Sequence, residues 1–271
     1  MTTSFQHLKA VVFDWAGTTV DHGSCAPAVV FQEIFRQRGV PISAQQAREP
    51  MGMAKRDHIA AIAAMPDVAA RWRSQHGCAC GDADIDAMYD DFLPLQKQTL
   101  HHHSKLIDGV PELVDWCRSR GLKIGSSTGY TRELLQIVTA AAAEQGYVPD
   151  CSLGSEDAPK GRPAPFLIYT AAMKMGVYPL WTIVKVDDTA VGVEAGRHAG
   201  CWTVGVTRTG NGVGLGEEEL SRLPDEERSA AIRAAGVTLT SAGAHALVES
   251  VADIRPVLEE FDNRLASGER P

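Results

Sequence analysis

Two apolar runs in this chain end in carboxylates. Val11-Val12-Phe13 leads into Asp14 and the turn Trp15-Ala16-Gly17-Thr18-Thr19, and Trp181-Thr182-Ile183-Val184-Lys185-Val186 leads into Asp187-Asp188. Runs of β-branched and aromatic residues of this length read as strands buried on both faces, as in a parallel sheet covered by helices. Ligands of open α/β sheets bind outside the carboxyl ends of the strands, so both acids stand where chemistry is done. Asp14 taken alone fits a turn former equally well. Taken with Asp188, it becomes half of a pair: two strand ends can be neighbours, and their carboxylates can then share one divalent ion. Hard oxygen ligands with positions left for water and phosphate favour Mg2+. Ser126-Ser127-Thr128-Gly129 ends another expected strand and offers hydroxyls, with backbone N–H groups at the next helix start, to an anion. Lys160 and Arg162, in Lys160-Gly161-Arg162-Pro163-Ala164-Pro165, add positive charge before a further helix.

The elements that must position these groups alternate. Residues 28–38 carry an amphipathic pattern closed by Gly39 and Pro41. Helices are then expected at 43–49, 52–64 and 83–100, with no strand among them. Alternation resumes with helix 111–120, strand 122–126, helix 132–145, a short strand at 151–153, helix 163–174, the acid-ended strand 181–188, helix 190–199 and strand 202–206. The remainder reads as a helix from about 217, a last strand at either 236–240 or 246–248, and a helix over 251–265. The expected fold is α/β, a doubly wound three-layer core with a parallel sheet, interrupted by an all-helical insert. The core is assigned to residues 1–23 and 105–271, and the insert, a cap, to 24–104.

At 271 residues and 44% hydrophobic content the chain can bury a large core. Its 26 Lys and Arg against 34 Asp and Glu give a charge of -8, which argues against nucleic acid or an anionic membrane as the main partner. An anionic substrate must be held by local charge. No run approaches the roughly 20 apolar residues of a membrane helix, and residues 1–9 lack a secretory signal, so a cytoplasmic setting is expected. The 6 scattered cysteines suggest reduced thiols. Gly210, Gly212, Gly214 and Gly216 lack the dinucleotide-binding spacing and read as a loop. Cys78-Ala79-Cys80 has no second ligand pair and reads as a turn, and His101-His102-His103 receives no role.

Together, the Asp14 turn, the Ser/Thr-ended strand, the basic residue before Pro163 and the Asp187-Asp188 strand end resemble the four motifs of the haloacid dehalogenase superfamily. One branch fits best. Asp14-Trp15-Ala16-Gly17-Thr18-Thr19-Val20-Asp21, Pro50-Met51-Gly52-Met53-Ala54-Lys55-Arg56-Asp57-His58-Ile59, Thr128-Gly129-Tyr130-Thr131-Arg132, Gly161-Arg162-Pro163-Ala164-Pro165 and Lys185-Val186-Asp187-Asp188-Thr189 resemble the phosphonoacetaldehyde hydrolases, or phosphonatases. The resemblance implies hydrolysis of a carbon–phosphorus bond to acetaldehyde and phosphate. It makes Asp14 the nucleophile that becomes an aspartyl phosphate and Lys55 the amine that forms a Schiff base with the aldehyde. It assigns Mg2+ to Asp14, the backbone carbonyl of Ala16 and Asp188. Arg162, Thr128 and Gly129 then hold phosphoryl oxygens, and Met51 and Tyr130 lie against the substrate. A homodimer through the cap is also implied.

The chemistry explains the pairing of Ala16 with Lys55. Most phosphatases of the superfamily carry an acid two residues after the nucleophile to protonate a departing alkoxide, and that position is Ala16. A carbanion leaving group needs an electron sink instead, and a protonated imine on Lys55 supplies one. On a helix Met51, Lys55, His58 and Ile59 share a face. Apolar neighbours, with Arg56, are expected to lower the Lys55 pKa, and His58 is placed to move protons. Bringing a carboxylate to a phosphonate dianion costs about 4 kcal/mol per unit pair near ~4 Å at an effective dielectric of ~20, which a divalent cation offsets. Some relatives have a second acid at the position of Gly192, for which Asp187 or Glu194 can substitute. The alternatives are a haloacid dehalogenase, a capped phosphomonoesterase or phosphomutase, a receiver-like phosphoacceptor domain and an inactive scaffold.

Overall fold

The computed structural model describes residues 4–271. Regular structure begins with β1 (Ala10–Phe13), buried at every position. Six helices precede the next strand, and the first five form the insert: α1 (Cys25–Gln37), α2 (Ala44–Arg48), α3 (Lys55–Ala64), α4 (Pro66–His76) and α5 (Asp82–Leu100). The chain continues through α6 (Val110–Ser119), β2 (Lys123–Ser127), α7 (Arg132–Glu144), β3 (Cys151–Leu153), α8 (Phe166–Met175), β4 (Ile183–Asp187) and α9 (Ala190–Ala199). It ends with β5 (Trp202–Val206), α10 (Glu217–Arg222), α11 (Asp225–Ser241), β6 (Ala246–Val248) and α12 (Arg255–Ala266).

The sheet has 6 strands in the order β3-β2-β1-β4-β5-β6, and every pairing is parallel. From β1 the chain moves outward through β2 to β3, then returns to the opposite flank at β4. This reversal is a topological switch point, where crossovers diverge and leave a crevice at the strand ends. Phe13 pairs in register with Ser126 on one side and Val186 on the other, so Asp14, Ser127 and Asp187 emerge side by side. Alternation along β1 sends Val11 and Phe13 into one apolar cluster and Ala10 and Val12 into the other. The first cluster continues without a break into the helical insert through Phe31, Ile34, Ile59, Trp72 and Phe92.

The insert is joined to the sheet by two crossings tied to each other. Val20 bridges to Leu106, the Asp21 amide donates to the Lys105 carbonyl at 3.2 Å, and the Ile107 amide donates to Thr19 at 2.9 Å. Asp21 and Ser24 have positive φ, 54° and 49°, a conformation that costs side-chain-bearing residues energy and is held here by the surroundings. The Asp21 carboxylate accepts the Ala26 amide at the start of α1 at 2.9 Å and His103 Nδ1 at 3.0 Å. His103 therefore does have a partner, and the hydrogen bond to Asp21 raises its pKa.

Several expected boundaries are corrected. α4 was not foreseen, although Pro66 at its first turn and Gly77 (φ 73°) after its last supply the usual start and stop. α3 begins at Lys55 instead of residue 52, because Gly52 takes φ 94°; Met51 consequently lies in the preceding turn and not on the helix. Residues 236–240 belong to α11, and the last strand is β6. All 6 cysteines are free. No helix among the described residues is long and apolar enough to cross a membrane. Of the exposed large apolar side chains, Phe166, Met173, Tyr178 and Trp181 lie on or just after α8, whereas the insert contributes Val29.

Candidate active site

The crevice at the switch point holds three buried aspartates whose carboxylate oxygens lie within 4.8 Å of one another: Asp14, Asp187 and Asp188. Arg162 joins the first two, its Nη1 donating to Asp14 Oδ1 at 2.9 Å and to Asp187 Oδ2 at 2.7 Å. Lys185, two residues before Asp187 and so on the same face of β4, places Nζ 2.8 Å from Asp187 Oδ2. The other oxygen of Asp187 accepts from Thr189 through its amide at 3.0 Å and its hydroxyl at 2.7 Å. Asp187 is thus saturated by protein donors and acts as an internal counter-ion. Burial works to raise its pKa, but Lys185 and Arg162 outweigh it and hold the carboxyl below its ordinary range.

Asp14 and Asp188 differ. Burial first, then the neighbouring Asp187, raises Asp14 in spite of Arg162 and Lys185. Burial, Asp14 and Asp187 push Asp188 well above the usual carboxylate range, against donations from the Asn211 amide at 2.7 Å and the Thr18 hydroxyl at 3.1 Å. Two buried carboxylates that repel each other are short of positive charge. The Ala16 carbonyl accepts no hydrogen bond from the backbone or from a side chain among the described residues, although Ala16 is buried against the same cavity. An oxygen-only donor set of Asp14, Asp188 and this free carbonyl fits a hard divalent cation. At Gly192 a Cβ would stand 2.0 Å from the Asp187 carboxylate, so Asp187 fills the space an acidic side chain at 192 would need. Glu194 is not part of the cluster.

Lys55 approaches the crevice from the insert, at the first residue of α3, and is 4% exposed. Its neighbours are ring faces. Nζ lies 4.9 Å from the centroid of Tyr130, 5.6 Å from Phe31 and 5.9 Å from Phe92. Burial, and secondarily the charge of Arg162, lower its pKa from the ordinary 10.5 to about 7, with Asp14 pulling the other way. The expected contribution of Arg56 is corrected: its side chain turns outward to Asp82 at 3.1 Å and Asp86 at 2.6 Å. Lys160 is likewise exposed, so Arg162 alone of that pair serves the crevice.

A cavity of about 20 Å³ is lined by Asp14, Ala16, Ser24, Pro27, Met51, Gly52, Lys55, Thr128, Gly129, Tyr130, Arg162 and Thr189. It has room for one ion or water. The insert closes directly on the sheet edge here: a Cβ on Gly129 would meet the Met53 carbonyl at 2.4 Å. His58 is not among the lining residues. It stacks on Phe31 at 3.7 Å, donates from Nε2 to the Ala47 carbonyl at 2.9 Å, and its buried Nδ1 has no partner. Burial, then Lys55, holds it well below its ordinary pKa, so it is neutral.

Sequence reasoning brought Asp14, Ala16, Met51, Lys55, Thr128, Gly129, Tyr130, Arg162 and Asp188 together, and the structure gathers them in one crevice. It missed Lys185, Thr189 and Asn211, and the rings of Phe31 and Phe92. The two-residue strand period would have paired Lys185 with Asp187; no sequence signal links Phe31, Phe92 and Tyr130, which belong to α1, α5 and the loop after β2.

A haloacid dehalogenase-like hydrolase family model matches residues 8–200. The chain is 47% identical to a phosphonoacetaldehyde hydrolase of Paraburkholderia xenovorans, over 98% of this chain and 100% of that one. It is 45% identical to one of Nitratidesulfovibrio vulgaris, over 97% and 94%. The crystal structure of a phosphonoacetaldehyde hydrolase-like protein from Oleispira antarctica superposes with a TM-score of 0.96 at 38% identity, covering 100% of this chain and 98% of that one. A β-phosphoglucomutase from Clostridium difficile shares the fold at a TM-score of 0.67 and 14% identity. With relatives this similar over nearly its whole length, the chain belongs to the haloacid dehalogenase-like hydrolases and, within them, to the phosphonoacetaldehyde hydrolase family.

Proposed function

We propose that this enzyme hydrolyses the carbon–phosphorus bond of phosphonoacetaldehyde to acetaldehyde and phosphate, with Asp14 as nucleophile, Lys55 as Schiff-base amine and a helical cap, residues 24–104, closing over the core. One observation carries the reading: a fully buried lysine with a pKa near 7 shares a cavity with a strand-end aspartate whose usual acid partner, two residues on, is Ala16. A phosphomonoesterase needs that acid, and a haloacid dehalogenase needs neither the lysine nor paired metal acids.

Lys55 Nζ, unprotonated in a large fraction of molecules near pH 7, adds to the aldehyde carbon, and loss of water leaves a protonated imine. Tyr130, whose phenol burial keeps protonated, lines the same cavity and can hydrogen-bond the aldehyde oxygen; neutral His58, one turn of helix from Lys55 and with Nδ1 unpartnered, is the candidate to take up a proton. Arg162 and the Thr128-Gly129 turn hold the phosphoryl oxygens. The side chains of Asp14 and Asp188 and the Ala16 carbonyl would hold Mg2+, which when bound offsets the charge that Asp14 and the phosphonate bring together. Asp14 attacks phosphorus, the carbon–phosphorus electrons move into the imine, and the leaving group departs as a neutral enamine. Protonation of the enamine and hydrolysis of the imine return Lys55 and release acetaldehyde, and water cleaves the aspartyl phosphate. Because Asp187 is saturated by Arg162, Lys185 and Thr189, its part is to fix Arg162 against Asp14.

The test is borohydride reduction of the enzyme with phosphonoacetaldehyde, followed by peptide mass mapping. A reduced adduct on Lys55 is expected in the wild type and in Asp14→Asn. Turnover without any Lys55 adduct would remove the Schiff base from the mechanism.

A further inference from the structure

The glycine-rich loop at 210–216 has no place in the chemistry above, yet the insert also holds the core there. Arg48, the last residue of α2, reaches across with both terminal guanidinium nitrogens. Nη1 donates to the carbonyls of Gly23 at 2.7 Å and Ser24 at 3.2 Å and to Asn211 Oδ1 at 3.1 Å, and Nη2 donates to the Gly214 carbonyl at 2.8 Å. Asn211 answers with Nδ2, which donates to the Arg48 carbonyl at 3.2 Å. The same residue's backbone N–H donates to Asp188 Oδ2 at 2.7 Å. Gly214, at φ 70°, leaves the space the guanidinium needs, since a Cβ there would lie 2.7 Å from Arg48 Nε. One asparagine therefore touches the cap with its side chain and a metal-ligand carboxylate with its backbone.

A second feature lies beside it. A cavity of about 450 Å³ is bordered by Arg48, Met51, Asp188, Thr189 and Asn211. It shares Met51 and Thr189 with the reaction cavity of about 20 Å³, which is too small for the substrate plus an ion. Substrate binding thus requires the small cavity to enlarge, and Arg48 and Asn211 stand on the rim of the larger space beside it.

We infer that Arg48 and Asn211 form a latch that couples closing of the cap to the position of Asp188, making them positioning residues for metal binding. The latch needs arginine: a planar fork reaches the first crossing and the loop at once, and an ammonium does not. Coupling of this kind is reciprocal, so whatever weakens the latch weakens the cation site, and the reverse. The inference rests on the reading of Asp188 as a metal ligand and is independent of which substrate is cleaved.

The test is calorimetric titration of full-length, chelator-treated protein with MgCl2 for the wild type, Asn211→Ala, Arg48→Lys and the double variant, with unfolding temperatures measured in parallel. Asn211→Ala keeps the backbone N–H to Asp188 and removes only the side-chain contacts. The dissociation constant for Mg2+ is expected to rise about tenfold in each single variant, the worth of roughly one charge-assisted hydrogen bond, and no further in the double variant, with unfolding temperatures nearly unchanged. Wild-type Mg2+ affinity in both single variants, or losses that multiply in the double, overturns the latch. Should Asn211→Ala not fold, Arg48→Lys decides alone: a tenfold rise in the dissociation constant supports the latch, and wild-type affinity overturns it. A tenfold loss of Mg2+ affinity in an enzyme that forms no Lys55 adduct would keep the latch and discard the proposed reaction.

Discussion

The two sides of the reaction cavity treat charge in opposite ways. On the core side, three aspartates are packed with Arg162 and Lys185; all five are buried, and ion pairs join Asp14 and Asp187 to the two cations. On the cap side, a single lysine is enclosed by the rings of Phe31, Phe92 and Tyr130. In the proposed mechanism the core concentrates charge that a phosphoryl group and a cation complete, and the cap strips charge from an amine that attacks a carbonyl. Burial is the first cause of both the raised Asp14 and the lowered Lys55, and the difference lies in what surrounds each group. A nucleophile needs neighbours that fix it, whereas an amine needs neighbours that cannot solvate its proton.

The largest expected effects come from removing either centre. Asp14→Asn should lower turnover by on the order of 10⁴-fold or more while leaving the Lys55 adduct trappable, and an Asp14→Asn enzyme near wild-type rate would break the core half of the comparison. Lys55→Met should abolish turnover too, yet stabilise the fold. A lysine whose folded pKa is depressed carries a cost that is full below about 7 and vanishes above its unfolded value. The variant should therefore unfold several degrees higher at pH 6 and lose that advantage toward alkaline pH, a gain of up to a few kcal/mol in thermal denaturation.

Asp187→Ala tests the counter-ion role. It leaves Lys185 buried without its carboxylate and Arg162 without one of two, and should cost about 3–5 kcal/mol of stability by denaturant unfolding. A neutral outcome would mean that the acid cluster is not internally paired. Phe92→Ser, which opens the ring cage, should move the acidic limb of the pH–rate profile upward. Protonation of Lys55 removes the attacking form, so well below that limb the rate falls about tenfold per pH unit, and a limb raised by one unit from about 7 lowers the rate at pH ~7 roughly fivefold. Arg56→Ala is the smallest: with its guanidinium turned to Asp82 and Asp86, it should leave turnover within about twofold.

The core half was legible in the sequence because each of its acids sits at a strand end, and the sheet register brings adjacent ends together whatever the loops do. Ala16 was legible by what it lacks. The cap half was legible only at Lys55 and its flanking turn. Its cage is drawn from three elements separated by tens of residues, and Arg56, the nearest positive charge in sequence, is farther from the amine's electrostatics than Arg162, 107 positions away, because α3 turns it to the surface. α4 escaped notice because only Val68 and Trp72 are buried along it, too few to mark a periodic stripe. The latch was invisible for the same reason as the cage: glycines at 210 to 216 make no motif, and the space at Gly214 is taken by Arg48, which the fold delivers from the insert.

The pH dependence of borohydride trapping measures the central claim most directly, since it reads the protonation of Lys55 apart from every later step. Adduct formation should rise with a midpoint near pH 7, reflecting the amine that the ring cage leaves uncharged. A midpoint near the ordinary lysine value of about 10.4, or an adduct on any other residue, would contradict the account.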